Sequence, residues 1–219
     1  MNLLCGCLAV VFISRNNLAT ASWFVMAATM LDFLDGYSAR LLKAYSPLGV
    51  QLDSMADMVT FGVLPALMIY HNGMTYADSW TGASMVGFFA AVSAVSAGLR
   101  LGRFNVDDRP REFFWGLATP AGAILVAGWT WAQYTGQDFG WGMGDKPWLG
   151  LVIPIFLAVM FQVALKLPGL KSPKAGIVTA GILGVAVVVG FLMFGAIAIA
   201  AGIAGYVVLG ILNLFIKWY

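Results

Sequence analysis

Long apolar stretches alternate with short polar segments along the chain, and this pattern predicts membrane-spanning helices. A helix needs about 20 apolar residues to cross a bilayer, so stretches near this length are read as spans. The predicted fold is all-α: a polytopic helical bundle forming one membrane domain over residues 1–219, with about eight transmembrane helices at 2–14, 18–43, 48–70, 80–103, 115–135, 147–166, 175–193 and 196–217. The turn between the last two of these helices is predicted near Gly195 or Gly202.

The composition strengthens this interpretation. Hydrophobic residues make up 61% of the chain and charged residues only 10%, whereas an ordinary soluble domain has about 25% charged residues. So few charges cannot cover so apolar a core in water, which excludes a soluble globular enzyme, a disordered tail and a disulfide scaffold. The net charge of +2 provides no basic patch, so we expect no nucleic-acid partner.

The distribution of positive charge predicts the orientation of the helices. If the N-terminus lies inside, only Arg15 and Lys146 of the twelve Lys and Arg residues fall on the outer side. Cytoplasmic loops of membrane proteins carry the excess of positive charge, so both termini are predicted to be cytoplasmic. No basic segment precedes the first apolar stretch, and a cleaved signal peptide is therefore not expected.

Four aspartates interrupt the apolar pattern of the second and third predicted helices. A charged group inside a membrane helix costs about 3 kcal/mol even on lenient scales, so such residues are usually paired or functional. Spacings of three and four residues place each pair on one helix face. Pro47 and Gly49 predict a turn between the two helices. We therefore expect a hairpin in which two carboxylate pairs face each other near the cytoplasmic surface: Asp32 with Asp35, and Asp53 with Asp57.

The residues around these aspartates favour a metal-pyrophosphate site. Carboxylate oxygens suit Mg²⁺ or Mn²⁺ better than Zn²⁺. Gly36 would let a ligand approach the helix backbone, and Arg40, one turn later, suits a phosphate oxygen. A structural cluster of ion pairs is the alternative, but it would leave three of the four acids without partners.

The motif itself resembles a known signature. The segment Asp32-x2-Asp35-Gly36-x2-Ala39-Arg40-x8-Gly49-x3-Asp53-x3-Asp57 is similar, without departure, to that of the CDP-alcohol phosphotransferase family. Members of this family are membrane enzymes that transfer a phosphatidyl-type group from a CDP-linked lipid to an alcohol. The resemblance implies two divalent ions held by the four aspartates, with Asp57 also acting as the general base. It further implies a CDP site formed by Asp32, Gly36, Ala39, Arg40, Gly49 and Asp53.

Flanking segments narrow the resemblance to the phosphatidylserine synthases within this family. It covers residues 2–125, the predicted catalytic core, while residues 126–219 add further transmembrane helices. It implies transfer of a phosphatidyl group from CDP-diacylglycerol to L-serine, giving phosphatidylserine and CMP, by a homodimer among membrane lipids. The compact chain favours a bacterial or archaeal cytoplasmic membrane, with the active site facing the cytoplasm. The similar segments are NLLCG (2–6), QLDSMADMVTFGVLPA (51–66), RLGRFN (100–105) and GLATPAGA (116–123).

Candidate acceptor residues lie at the end of the fourth predicted helix and directly after it. The carboxylate of serine favours a guanidinium partner, and Arg100 and Arg103 lie at the predicted depth of the aspartates. We expect these two residues and Asn105 to shape the acceptor pocket or to bind the lipid-side phosphate. Alternatively, the arginines only set topology and extend to the headgroups. No Ser, Cys or His stands in an arrangement typical of a nucleophile, which favours direct attack by the acceptor.

Two other functions remain open at this stage. A related enzyme of the same family would use glycerol 3-phosphate or an inositol compound, but such phosphorylated acceptors require a denser basic pocket. An ion or proton transporter also uses intramembrane carboxylates. A transporter places them near the bilayer midplane, on a path open to both sides.

Overall fold

The computed structural model describes residues 1–42, 46–76, 80–106, 113–115, 117–136, 146, 148–163 and 166–168. The helices are α1 (Asn2–Ser14), α2 (Leu18–Leu41), α3 (Pro47–Asp57), α4 (Leu64–Tyr76), α5 (Trp80–Val106), α6 (Thr119–Thr135) and α7 (Leu149–Gln162). A π-helical segment, Met58–Val63, joins α3 to α4, and two short strands, β1 (Phe113–Trp115) and β2 (Lys166–Pro168), pair antiparallel. The predicted spans at 175–193 and 196–217 lie outside the described residues.

Within the described ranges, three helical stretches are long and apolar enough to cross a membrane: Leu18–Gly36, Leu48–Met74 and Ser84–Val106. Helices α1 and α7 are apolar but shorter. Large apolar side chains point outward from the long helices, and Phe33 and Phe88 are both more than half exposed. Extensive exposed apolar surface is stable against lipid rather than water, so the described architecture is that of an integral membrane protein.

The described residues are almost entirely helical, as predicted, and the short β1–β2 pair is a local exception. The helix predicted at 115–135 begins only at Thr119, and the helix predicted at 147–166 ends at Gln162. Phe114 lies opposite Leu167 in the strand pair. Aromatic residues favour strands, and proline at the second position of α6 favours a helix start there. Pro168 has no N–H to donate within a continuing helix, which is consistent with the early end of the second of these helices.

Helix α3 begins at Pro47, one residue before the predicted start at Leu48. Ser46 caps the helix, with its hydroxyl accepting a 2.9 Å hydrogen bond from the backbone N–H of Gly49. Pro47 occupies the first turn, where its missing N–H would have no helical partner in any case. The predicted break between the two helices is therefore present before Pro47, and Pro47 and Gly49 themselves belong to α3.

The π-helical segment was not predicted from the sequence. It starts directly after Asp57 and ends two residues before Pro65. A proline inside a helix removes one hydrogen bond and crowds the carbonyl group four residues earlier, here that of Phe61. Widening of the preceding turn accommodates both effects. The aspartates of α3 therefore lie immediately before a change in helical pitch.

Helix α1 packs against the other helices through one narrow face. Its buried residues recur at spacings of four, three and four, so they form a single stripe along the helix. Small residues in this stripe let α1 approach its neighbours closely. The stripe also carries a polar residue at its start; its members are Asn2, Gly6, Ala9 and Ile13.

Candidate functional site

Three of the four aspartates form a compact cluster. Asp32 and Asp35 lie near the C-terminal end of α2, and Asp53 lies in α3. One carboxylate oxygen from each of the three lies within 4.8 Å of the other two. Asp35 and Asp53 are exposed and Asp32 is half-buried, so the cluster opens to the surface. The two helices thus bring together carboxylates that are about 20 residues apart in the sequence.

The cluster fits a divalent cation. Metal–oxygen distances of about 2.0–2.6 Å place oxygens on opposite sides of one Mg²⁺ or Ca²⁺ ion about 4–5 Å apart. The observed spacing agrees with this range. The group contains neither His nor Cys, and an all-oxygen donor set favours hard cations. Three neighbouring carboxylates also repel one another, so a bound cation would remove an electrostatic cost.

Asp57 completes the site from the last turn of α3. It is half-buried, and its carboxyl group lies within hydrogen-bonding reach of that of Asp32. The side-chain Nδ2 of Asn2 donates a 2.8 Å hydrogen bond to Oδ1 of Asp57. The fourth aspartate is therefore more enclosed than Asp35 or Asp53, and a neighbouring helix holds it in place.

The contact of Asn2 with Asp57 was not predicted from the sequence, although Asn2 belongs to a segment that resembles the family. The available signal was its position: Asn2 is a polar residue that begins an otherwise apolar run, on the same stripe as Gly6. Its partner is 55 residues away, so only the packing of α1 reveals the contact.

Close packing fixes α1 beside the aspartates. A Cβ atom added at Gly6 would lie 2.5 Å from Oγ1 of Thr60, much closer than real contacts allow. Thr60 is fully buried in the π-helical segment, and among the described residues its hydroxyl has no hydrogen-bond partner. The absence of a side chain at Gly6 is therefore what allows α1 to approach the π-helical segment this closely.

The two glycines of the predicted CDP site differ in their surroundings. A Cβ atom at Gly49 would lie 2.9 Å from the Ser46 hydroxyl that caps α3. The capping contact therefore explains why a residue without a side chain occupies this position. At Gly36 nothing lies within 4 Å of such an atom. Packing among the described residues therefore does not explain Gly36, where the helix surface is open. Ala39 and Arg40 follow in α2, and their side chains lie outside the described part of the chain.

The three predicted acceptor residues lie at the end of α5 but have different contacts. Asn105 donates a 2.7 Å hydrogen bond from Nδ2 to the hydroxyl of Ser54, the residue after Asp53. Arg103 donates to the side-chain carbonyl of Gln162 in α7. Arg100 is half-buried. The structure thus joins Asn105 to the aspartate-bearing helix and directs Arg103 towards α7.

Comparison with known proteins identifies a family and a set of relatives. The family model described as CDP-alcohol phosphatidyltransferase matches residues 1–212. A CDP-diacylglycerol–serine O-phosphatidyltransferase of Bacillus subtilis is 36% identical over 127 residues, which is 57% of this chain and 68% of the relative. The protein of the same name in Mycobacterium tuberculosis (strain H37Rv) is 37% identical over 155 residues, 68% of this chain.

A third relative extends the match further along the chain. The protein of the same name in Helicobacter pylori (strain J99) is 31% identical over 171 residues, covering 77% of this chain and 69% of the relative. The match to the mycobacterial protein covers only 51% of that relative, so this chain spans about half of its length. The resemblance noted in the sequence is confirmed at the level of the family.

Proposed function

This chain belongs to the CDP-alcohol phosphatidyltransferase family, and we propose that it transfers a phosphatidyl group from CDP-diacylglycerol to L-serine. The products are phosphatidylserine and CMP. The observation that carries the proposal is the cluster of Asp32, Asp35 and Asp53 beside Asp57, in a chain similar to proteins named for this reaction. Family membership favours this transferase over the ion transporter considered from the sequence.

The aspartate cluster is proposed to hold divalent cations. Asp32, Asp35 and Asp53 would hold one Mg²⁺ or Mn²⁺ ion, and Asp57 would touch a second. Bound cations supply charge neutralisation for the pyrophosphate and for the departing CMP. The carboxylates themselves fix where the pyrophosphate binds, because α2 and α3 carry them at one end of the hairpin.

We assign the general-base role to Asp57. The serine hydroxyl is a poor nucleophile at neutral pH, and a carboxylate that accepts its proton makes it competent. The hydroxyl oxygen then forms a bond to the phosphorus of the phosphatidyl group, while the bond from that phosphorus to the CMP oxygen breaks. Asp57 is more enclosed than Asp35 and Asp53, which suits a group that transfers a proton rather than binding the exposed pyrophosphate.

The nucleotide is proposed to lie against α2. Gly36 leaves the helix surface open, and Ala39 and Arg40 follow within about one turn. A guanidinium group matches two phosphate oxygens at once, so Arg40 is assigned to the diphosphate. Gly49 is retained in the proposed CDP site, with the added observation that it also accommodates the cap of α3.

The acceptor is proposed to bind between the end of α5 and the aspartates. Asn105 has the strongest support, because its hydrogen bond to Ser54 brings it next to Asp53. Arg100 is assigned to the serine carboxylate. Arg103 remains a candidate for the same carboxylate or a lipid phosphate, although its present partner is Gln162.

The reaction also implies a location. Two acyl chains remain in lipid while CDP and serine come from water, so a site at the ends of membrane helices meets both needs. The distribution of Lys and Arg supports a cytoplasmic membrane with both termini and the site on the cytoplasmic side. We propose a bacterial or archaeal membrane and a homodimeric enzyme, as the family resemblance implies.

An acceptor panel tests the proposal. Purified protein in detergent is given CDP-diacylglycerol and Mn²⁺ or Mg²⁺, and CMP release is measured with serine, glycerol 3-phosphate or inositol. Release that depends on serine is expected. CMP release with another acceptor would agree with the family assignment but would show that serine is not the substrate. If no acceptor gives release and CDP does not bind, the transferase assignment itself is wrong.

A further inference from the structure

Asn2 contacts Asp57 from a third helix. Its Nδ2 donates to Oδ1 of Asp57 at 2.8 Å. Asn2 is only 2% exposed, so water has little access to this contact.

We propose that Asn2 is a positioning residue for the transfer step, acting through Asp57. This inference rests on the proposed function, in which Asp57 accepts the proton of the acceptor hydroxyl. A donor on Oδ1 prevents the carboxylate from rotating about its Cβ–Cγ bond. The remaining lone pairs of Asp57 then keep a fixed direction, so the carboxylate can accept the proton of the acceptor hydroxyl in only one orientation.

The buried environment of Asn2 argues against a role in stability alone. Its Oδ1 atom is buried and has no hydrogen-bond partner among the described residues. An unsatisfied buried acceptor costs about 1–3 kcal/mol, whereas an apolar side chain of similar size would be buried without that cost. Asn2 is therefore a poor choice for packing, and its donor to Asp57 is the favourable contact that remains.

The packing of α1 makes this positioning rigid. Asn2 and Gly6 lie one turn apart on the buried stripe, and Gly6 packs directly against Thr60. Thr60 follows Asp57 by three residues, so α1 contacts the carboxyl group of the base through Asn2 and the next helical turn through Gly6. Movement of α1 would move the amide donor and the base relative to each other.

Asn72 provides a matched control elsewhere in the bundle. It is also a fully buried asparagine whose Nδ2 donates across helices, here a 3.0 Å hydrogen bond to Thr130. Its Oδ1 likewise has no partner among the described residues. Asn72 is thus chemically equivalent to Asn2 but has a hydroxyl partner rather than a carboxylate.

The test compares Asn2→Leu, Asn2→Gln and Asn72→Leu in the full chain. For each variant, CMP release gives kcat and KM for both substrates, equilibrium binding gives the affinity for CDP, and thermal unfolding in detergent gives Tm. We expect Asn2→Leu to lower kcat on the order of 100-fold, as misplacement of a reacting group does. Its CDP affinity, KM for CDP-diacylglycerol and Tm should not change. Asn2→Gln, which keeps the amide, should recover part of kcat, and Asn72→Leu should retain it.

Several outcomes would overturn the inference. An unchanged kcat in Asn2→Leu would show that Asp57 does not need the amide. A loss of kcat matched by a loss of Tm or of CDP affinity would show a structural role instead, as would an equal loss in Asn72→Leu. If wild-type protein releases CMP and Asn2→Leu does so equally well, only this inference fails. If wild-type protein releases none, the proposed function fails with it.

Discussion

Asn105 and Ser54 join the end of α5 to the middle of α3 through a 2.7 Å hydrogen bond between side chains. The bond spans 51 residues of sequence and lies next to Asp53. It fixes how far the basic end of α5 lies from the carboxylates of α3. The acceptor site proposed between these two helices depends on that separation.

The acceptor site predicts a selective effect of Arg100→Ala. Loss of a hydrogen bond to a charged group costs about 1.5–3 kcal/mol, so KM for serine should rise about 10- to 100-fold. KM for CDP-diacylglycerol should change little. Arg15→Ala is the control, because Arg15 is exposed after α1 and is predicted on the opposite side of the membrane. Equal rises in KM for both substrates would contradict the assignment.

The position of Gly36 predicts that a substitution there weakens CDP binding without lowering the stability of the fold. A Cβ atom there has open space in the fold, so Gly36→Ala should leave Tm unchanged or raise it, since alanine favours helix by about 1 kcal/mol. The methyl group would instead meet the bound nucleotide and weaken CDP binding about 10-fold. Gly102→Ala, also in open space on a helix, should raise or retain Tm without loss of CDP affinity. Unchanged CDP binding in Gly36→Ala would remove Gly36 from the nucleotide site.

The contact between Gly6 and Thr60 predicts a compensating pair of substitutions. Gly6→Ala alone should lower the free energy of unfolding by about 1–3 kcal/mol, because the new methyl group overlaps the Thr60 hydroxyl. Thr60→Ala removes that hydroxyl, and the next nearest Thr60 atom is 3.5 Å away, an ordinary contact distance. The double variant should therefore recover most of the loss. Additive losses in the four-member cycle would show that the two residues do not touch.

The carboxylate cluster predicts a reversible requirement for divalent cations. Chelation should abolish CMP release, and Mg²⁺ or Mn²⁺ should restore it. Asp35→Asn removes one charge from the exposed edge of the cluster. The cation concentration for half-maximal activity should then rise at least as much as the roughly 10- to 100-fold typical of losing a residue that only supports a metal ligand. Full activity after chelation would contradict a metal-dependent reaction.

The aspartate cluster was accessible from the sequence because its geometry is local. Spacings of three and four residues place Asp32 with Asp35, and Asp53 with Asp57, on single helix faces whatever the rest of the fold. A short connection between two apolar helices then limits how they can pack. The helices α1, α2 and α5 begin where the apolar pattern predicts for the same physical reason.

Other features depend on contacts between distant segments and could not be read from the pattern. The partner of Asn2 is 55 residues away, and that of Arg103 is 59 residues away. The strand pair joins residues more than 50 positions apart, which no local signal specifies. The π-helical segment before Pro65 was missed because a proline in a helix predicts a distortion but not its type.

The most direct test follows labelled serine into lipid with wild-type protein and Asp57→Asn. Both proteins receive CDP-diacylglycerol and Mn²⁺, and phosphatidylserine, CMP and CDP affinity are measured together. We expect wild-type protein to form phosphatidylserine and CMP in equal amounts. Asp57→Asn should still bind CDP while kcat falls about 10²- to 10⁴-fold, the usual contribution of a general base. Equal turnover by Asp57→Asn, or wild-type CMP release without incorporation of serine, would contradict the proposed reaction.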